Sequence, residues 1–286
     1  MAANRDATFE GRVAVISGAG SGIGRALAAG LAARGAHLAL SDVDTDAVRA
    51  TGEACERAGA RVLTARVDVT EAEAVATHAA AVRAHFGRVD QVYNNAGVAH
   101  FGHVRHESVE DVERVMAVNF WGVVHGTTAF LPHLIESGRG HVVNVSSLFG
   151  IVTFPGQSAY SASKFAVRGY TEALRQEMAL SGLGVRVTCV LPGGIRTSVA
   201  RSATAAAGVD AAVTADRFDR LLALRSPEAA ARALLAGVRR GRARVLIGTE
   251  ARLLDALARV APAGVARTGV GLARVLGLTA HPGTGR

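Results

Sequence analysis

Short runs of β-branched and aliphatic residues alternate with longer Ala/Leu-rich stretches, and this rhythm constrains the fold more than any other feature of the chain. The apolar runs fall at 13–16, 38–41, 62–67, 89–93, 142–145, 185–190 and 245–247. Helical stretches lie between them at 22–34, 45–58, 71–86, 109–136, 158–181 and 227–239. Strands separated by helices of this length form right-handed βαβ units, which build a parallel sheet. The runs are continuously apolar instead of alternating, as strands buried on both faces are. The pattern predicts an α/β fold: a doubly wound parallel β-sheet of about seven strands with helices on both faces. No Pro/Ser-rich linker divides it, so residues 1–249 read as a single domain.

Two regions break the rhythm. Residues 198–225 form a long Ala-rich insertion, expected to act as a substrate loop or lid. Residues 250–286 form a basic C-terminal extension. It carries Leu253, Leu254, Leu257 and Val260 on one helical face and is interrupted by Pro262, which predicts two short pieces. Such a face could close a pocket, pad a subunit interface or touch a membrane; the first two are favoured. The formal charge is +8, and from Arg239 onward nine arginines stand against Glu250 and Asp255, a net of +7. That balance suits nucleic acid, an acidic membrane surface or an acidic partner. No aromatic–basic interleaving appears, which favours a solvated arginine-rich surface and no nucleic acid. No signal segment and no apolar run of ~18 residues is present, so a cytoplasmic location is expected. Cys55 and Cys189 stand far apart, read as buried free thiols, and form no metal pattern.

The first apolar run leads into Ser17-Gly18-Ala19-Gly20-Ser21-Gly22-Ile23-Gly24 and then a helix. Glycines permit a tight turn and close approach of backbone to a pyrophosphate, and the helix N-terminus offers free N–H groups to the anion. The second run ends at Asp42, which can accept both ribose hydroxyl protons of NAD and would repel the 2′-phosphate of NADP. Asp42 can equally cap the next helix. Asp68-Val69, after the third run, is placed to meet an adenine, although Asp68 could also be a cap. The fourth run ends in Asn94-Asn95-Ala96-Gly97, polar groups at the carboxyl end of a central strand, where ligands of open α/β sheets bind.

The chain has 31 arginines and one lysine, Lys164. A sequence that uses Arg for every other cation points to a site where only a compact ammonium on a flexible stem will serve. Lys164 follows Tyr160 by four residues, which on a helix places both on one face. Ser147 stands thirteen residues upstream of Tyr160, after the fifth run. A free tyrosine, with a pKa of ~10, is a poor base at neutral pH; a neighbouring ammonium favours the phenolate. Ser147 can hold a substrate oxygen, giving proton transfer at oxygen beside hydride transfer at carbon.

Over residues 12–247 these motifs resemble the short-chain dehydrogenase/reductase family, in an NAD-preferring form with a C-terminal extension. The resemblance rests on the glycine turn, Asn94–Gly97, Asn119, Ser147, Tyr160, Lys164 and Pro192-Gly193. It implies a Rossmann-like sheet and a catalytic tetrad. In it Tyr160 is the acid/base and Lys164 lowers its pKa and holds the nicotinamide ribose. Ser147 orients the substrate oxygen and Asn119 holds a proton-relaying water. It also places Gly18, Ser21, Gly22, Ile23, Gly24, Asp42, Asp68, Val69, Asn95, Ala96, Gly97, Pro192, Gly193, Ile195 and Thr197 on NAD. A homodimer or homotetramer through residues 109–136 and 158–181 is implied as well.

The residues after the strand ends are candidate pocket walls: Val98, His100, Phe101, Leu148, Phe149, Phe154, Gln157 and Gly194. They are mostly apolar and contain no arginine to clamp an acid, so the expected substrate is a secondary alcohol or ketone on a hydrophobic body. His100 is either a polar anchor or a solvent-exposed loop residue. Two other readings are a catalytically silent nucleotide-binding sensor and a membrane or nucleic-acid binder acting through the basic tail.

Overall fold

The computed structural model describes residues 8–275 apart from 198, 200, 201, 222 and 223. The elements run β1 (Val13–Ser17), α1 (Gly22–Ala32), β2 (His37–Asp42), α2 (Thr45–Arg57), β3 (Val62–Arg66), α3 (Ala72–Phe86), β4 (Gln91–Asn94), β5 (His100–Phe101) and α4 (Val109–Met116). They continue with α5 (Gly122–Glu136), β6 (His141–Val145), α6 (Ser158–Ser181), β7 (Arg186–Pro192), β8 (Thr204–Ala205), α7 (Ala211–Leu221), α8 (Pro227–Arg239), β9 (Arg244–Ile247), α9 (Thr249–Val260) and α10 (Pro262–Val275).

Seven strands form one parallel sheet in the order β3-β2-β1-β4-β6-β7-β9. The strand faces alternate even though their sequences do not. Ala14, Ile16, Leu38 and Leu40 pack with Leu27 and Leu31 of α1 and Leu234 and Leu235 of α8. Val13, Val15 and Ala39 pack on the other side with Val82 of α3, Phe130 and Leu134 of α5 and Leu174 of α6. Both faces are therefore covered, which is why the central strands are mostly apolar. The chain reverses direction across the sheet between β1 and β4, and the crevice beyond the carboxyl ends of such strands is where ligands bind.

Local chemistry sets the helix ends. Asp44 caps α2 by accepting from Ala47 N at 2.9 Å, so the capping role falls to Asp44 and leaves Asp42 free of it. Ser108 and Asp111 close a capping box on α4. A buried polar thread ties the centre: Asn94 donates to Asn144 Oδ1 at 2.9 Å, and Asn144 donates to Thr171 Oγ1 at 3.0 Å. Satisfied buried amides of this kind fix one arrangement of neighbouring elements, since any shift would orphan them.

The helix expected at 109–136 spans those residues as α4 and α5, joined by a π-helical turn at Ala117–Trp121 that the pattern did not predict. The insertion at 198–225 is partly structured. Within it β8 pairs with β5, Ala206 N donates to Phe101 O at 2.8 Å, and α7 follows. Residues 198, 200, 201, 222 and 223 of that insertion, and residues 276–286 of the extension, lie outside the described residues. The described part of the extension folds as the two helices α9 and α10.

Candidate active site

A cavity of about 1140 Å³ lies at the carboxyl ends of the parallel strands. Its length is built by successive strand-to-helix turns. At one end Gly18 (φ +65°) and Gly22 (φ +50°) take the left-handed backbone that β1 needs to turn into α1. A Cβ on Gly24 would lie 2.0 Å from Gly18 O, so only glycine lets the helix start this close to the strand. Gly18, Ser21, Gly22 and Ile23 line the cavity, while Gly24 supports the turn from behind.

Asp42, at the end of β2, also lines the cavity. Its Oδ2 accepts from Gly20 N at 2.8 Å and its Oδ1 from Asp44 N at 3.1 Å. Those two bonds aim the carboxylate and couple it to the glycine turn. Asp68 makes a local turn, accepting from Thr70 N at 2.9 Å and Thr70 Oγ1 at 2.8 Å, and it lines the cavity beside Val69. Asn95 locks β4 to β1 by donating to Ser17 O at 3.0 Å and Gly18 O at 3.2 Å. The Ser17 hydroxyl accepts from Asn95 N and Ala96 N, at 3.1 and 3.2 Å. Ser17 was visible only as the first letter of the glycine motif, and its bracing role depends on a strand 78 residues away.

At the other end, α6 presents Tyr160 and Lys164. The ammonium of Lys164 lies 5.6 Å from the centre of the Tyr160 ring and donates to Val145 O at 3.2 Å. Lys164 is buried at 3% exposure, and desolvation pulls its pKa down to about 8. The phenol of Tyr160 is moved the other way. Burial raises its pKa, and the hydrogen bond with Ser147 only partly opposes that. Among the protein's own groups, desolvation therefore outweighs the hydrogen bond at Tyr160. Ser147 is buried beside it and accepts from Phe149 N at 3.1 Å.

Asn119 sits in the π-helical turn, fully buried. Its Oδ1 accepts from Val98 N at 2.8 Å, and its Nδ2 donates to Val98 O at 2.9 Å and Ser163 Oγ at 3.0 Å. Ser163 in turn donates to Tyr160 O at 2.7 Å. Both amide hydrogens are thus spent on protein acceptors. These bonds make Asn119 a brace between the strand-end loop and the helix that carries Tyr160.

Val98, Phe101, Leu148, Phe149, Phe154, Gln157 and Gly194 line the remaining cavity with Pro192, Gly193, Ile195 and Thr197. Phe149 stacks with Phe154 at 6.3 Å and meets Tyr160 edge-on at 6.0 Å. His100 does not line the cavity and is not solvent-exposed, so both expectations for it are corrected. It is fully buried, 2.8 Å from Thr204 Oγ1, because β8 of the insertion covers it. Arg114 does reach the wall, against the expectation of no arginine. It donates to Thr204 Oγ1 at 2.6 Å and pairs with Asp111 at 3.0 Å, so its charge is answered within the wall.

The chain matches the short chain dehydrogenase family over residues 12–208. It belongs to that family. A protein of Mycobacterium tuberculosis, SadH, whose name classes it only as an oxidoreductase, is 60% identical over 253 residues, 88% of this chain and 92% of its own length. A 2-(R)-hydroxypropyl-CoM dehydrogenase of Xanthobacter autotrophicus is 38% identical over 190 residues, 65% of this chain and 75% of its own. Among solved structures, a short-chain dehydrogenase/reductase of Burkholderia phymatum in complex with NAD is similar with TM-score 0.80 and 31% identity. That match covers 93% of this chain and 96% of that one.

Within this short-chain dehydrogenase the C-terminal helices complete one wall of the cavity, one of the two roles favoured for the extension. Glu250, Leu254, Val265, Thr268 and Gly269 all line the cavity. Arg225 Nη1 meets both oxygens of Glu250 at 2.8 Å, and its backbone pairs with residues 194–196. The ion pair thereby joins the end of the insertion, the stretch after β7 and the start of α9. Leu254 alone of the four apolar residues expected to share a face turns to the cavity, while Leu253, Leu257 and Val260 are exposed.

Proposed function

We propose that this oxidoreductase interconverts a secondary alcohol and a ketone on a hydrophobic body, with NAD as cofactor and Tyr160 as acid/base. The observation that carries the reading is the burial of the chain's only lysine beside the Tyr160 ring on the cavity wall. The alcohol dehydrogenase name of one relative and the NAD complex of a structural neighbour support the same reading.

The residues fit a dinucleotide. The glycine turn leaves space that a Cβ would fill, and Asp42 is fixed at the far end, where a ribose would lie and where its carboxylate would repel a 2′-phosphate. Gly18, Ser21, Gly22 and Ile23 would hold the pyrophosphate and Asp42 the adenosine ribose. Asp68 and Val69 would meet the adenine. Asn95, Ala96, Gly97, Lys164, Pro192, Gly193, Ile195 and Thr197 would border the nicotinamide half. NAD, when bound, accepts or supplies a hydride at the substrate carbon.

The protein's own part is proton transfer and positioning. Burial keeps Tyr160 as the protonated phenol, the form that gives a proton to a carbonyl oxygen. The ammonium of Lys164 favours the phenolate left behind. Ser147 orients the same oxygen, and Asn119 holds the backbone on either side in register. Phe101, Phe149, Phe154 and Val98 exclude water and suit an apolar substrate. A homodimer or homotetramer would cover the exposed Trp121 and Phe165, beside α5 and on α6.

The test is a panel of hydrophobic alcohols and ketones with NAD and NADP, followed by absorbance of the reduced cofactor, in the wild type and in Tyr160→Phe. Turnover with NAD that falls at least about a thousandfold in the variant is expected. Undiminished turnover in Tyr160→Phe refutes the acid/base role. Tight NAD binding with no turnover of any substrate supports the silent sensor instead.

A further inference from the structure

Helix α9 wears its polarity inside out. Its inner face carries Ala251, Leu254, Asp255 and Ala258, and Asp255 is buried there by ion pairs to Arg244 at 2.8 Å and Arg259 at 3.2 Å. Its outer face exposes Leu253 at 61%, Leu257 at 39% and Val260 at 80%. These three recur at i, i+4 and i+7, one stripe of a helix. In α10, Val265, Thr268 and Gly269 face the cavity, while Val270 is exposed with Arg267 and Arg274. Arg252, Arg267 and Arg274 make no ion pair among the described residues, whereas both acidic residues of the two helices are paired, Glu250 with Arg225 and Asp255 as above.

We propose that α9 and α10 form a docking surface for an anionic lipid bilayer, and that the cavity they wall takes a substrate dissolved in that bilayer. The substrate half of this statement rests on the function proposed above; the docking half does not. An apolar stripe edged by unpaired guanidinium groups matches the interface of an acidic membrane, where the stripe enters the acyl boundary and the arginines meet phosphate. A second copy of the chain fits worse. A two-fold contact sets the patch against itself, bringing its arginines together with no unpaired carboxylate among the described residues of these two helices. Nucleic acid would leave the leucines facing phosphates. No helix among the described residues is long and apolar enough to cross a membrane, so the contact lies along the surface. The same helices present Leu254, Val265, Thr268 and Gly269 to the cavity, so a docked protein has only this layer between lipid and Tyr160's pocket.

The experiment is co-sedimentation of the full chain with vesicles of phosphatidylcholine alone and of phosphatidylcholine mixed with phosphatidylglycerol, at low and high salt. Sedimentation velocity without lipid accompanies it. Binding to the mixed vesicles only, weakened by salt, is expected. Replacing Arg252, Arg267 and Arg274 by Gln should lower partitioning about a hundredfold, at roughly a factor of five per arginine. Leu253→Ser with Leu257→Ser and Val260→Ser should abolish it, while turnover of a water-soluble ketone is kept, since none of these residues lines the cavity. No binding at low salt, equal binding to both vesicles, or binding indifferent to these changes overturns the proposal. So does a drop in subunit number in the serine variant, which would make the stripe an interface between copies. Docking that survives with no activity on any panel substrate would leave the surface standing and refute the enzymatic reading alone.

Discussion

Replacing Asn119 by Leu keeps the side-chain volume in the π-helical turn and removes three hydrogen bonds, at 2.8, 2.9 and 3.0 Å. Ser163 loses an incoming donor but retains its own bond to Tyr160 O. The backbone N–H and C=O of Val98 lose their only side-chain partners among the described residues. Each orphaned main-chain group costs about 1–3 kcal/mol, and burying leucine returns part of that, so a net loss of about 3 kcal/mol follows. With ~2 cal/mol/K per residue of unfolding entropy, 286 residues give about 0.6 kcal/mol/K, so the midpoint should fall about 5 °C. Calorimetry checks this, and kinetics check the second consequence. The bonds hold both the Val98 loop and the Tyr160 turn, so kcat should fall by more than NAD binding weakens. A midpoint within about 1 °C of the wild type would show that Val98 finds other partners and that the brace is not one.

Asp42→Ala removes the carboxylate fixed by Gly20 N and Asp44 N, and should narrow the preference for NAD over NADP by tenfold or more in kcat/KM; an unchanged ratio would place the discrimination elsewhere. Burial drops the pKa of His141 to about 3 and of His78 to about 4, so both fold in the neutral form. Their folded values lie below the unfolded value of ~6.5, so the stability they lend is complete above that pH. It is lost as pH falls toward 4 and 3, by about 3 kcal/mol for the pair between pH 6.5 and 5. Urea midpoints across that range should show the slope, and His78→Leu should halve it; a flat profile would refute neutral burial. The loss of turnover in Tyr160→Phe completes the set.

The sheet was legible because burial on both faces writes itself into a strand as an apolar run, unbroken at 13–16 and interrupted only by Asn144 at 142–145. The pair Tyr160 and Lys164 was legible because helical spacing is local. What escaped was decided over long separations. The π-helical turn looks in sequence like an apolar helix with one stray amide; its partners Val98 and Ser163 lie 21 and 44 residues away. His100 read as a loop residue because nothing near it reveals that Thr204 of the insertion will cover it. In α9 periodicity announced an apolar stripe without saying which way it faces. Asp255 decided that, since its pair with Arg244 draws the polar side inward and turns Leu253 and Leu257 out.

The solitary lysine has a consequence for anyone handling the protein. Apart from the chain's first amino group, Lys164 is its only primary amine. With its pKa drawn down to about 8, a good fraction of it is unprotonated and nucleophilic in mildly alkaline solution, although the side chain is enclosed. An amine-directed reagent small enough to enter the cavity would therefore mark the reaction centre and almost nothing else. The rate of that marking, read by mass spectrometry, becomes a direct gauge of whether the cavity is filled.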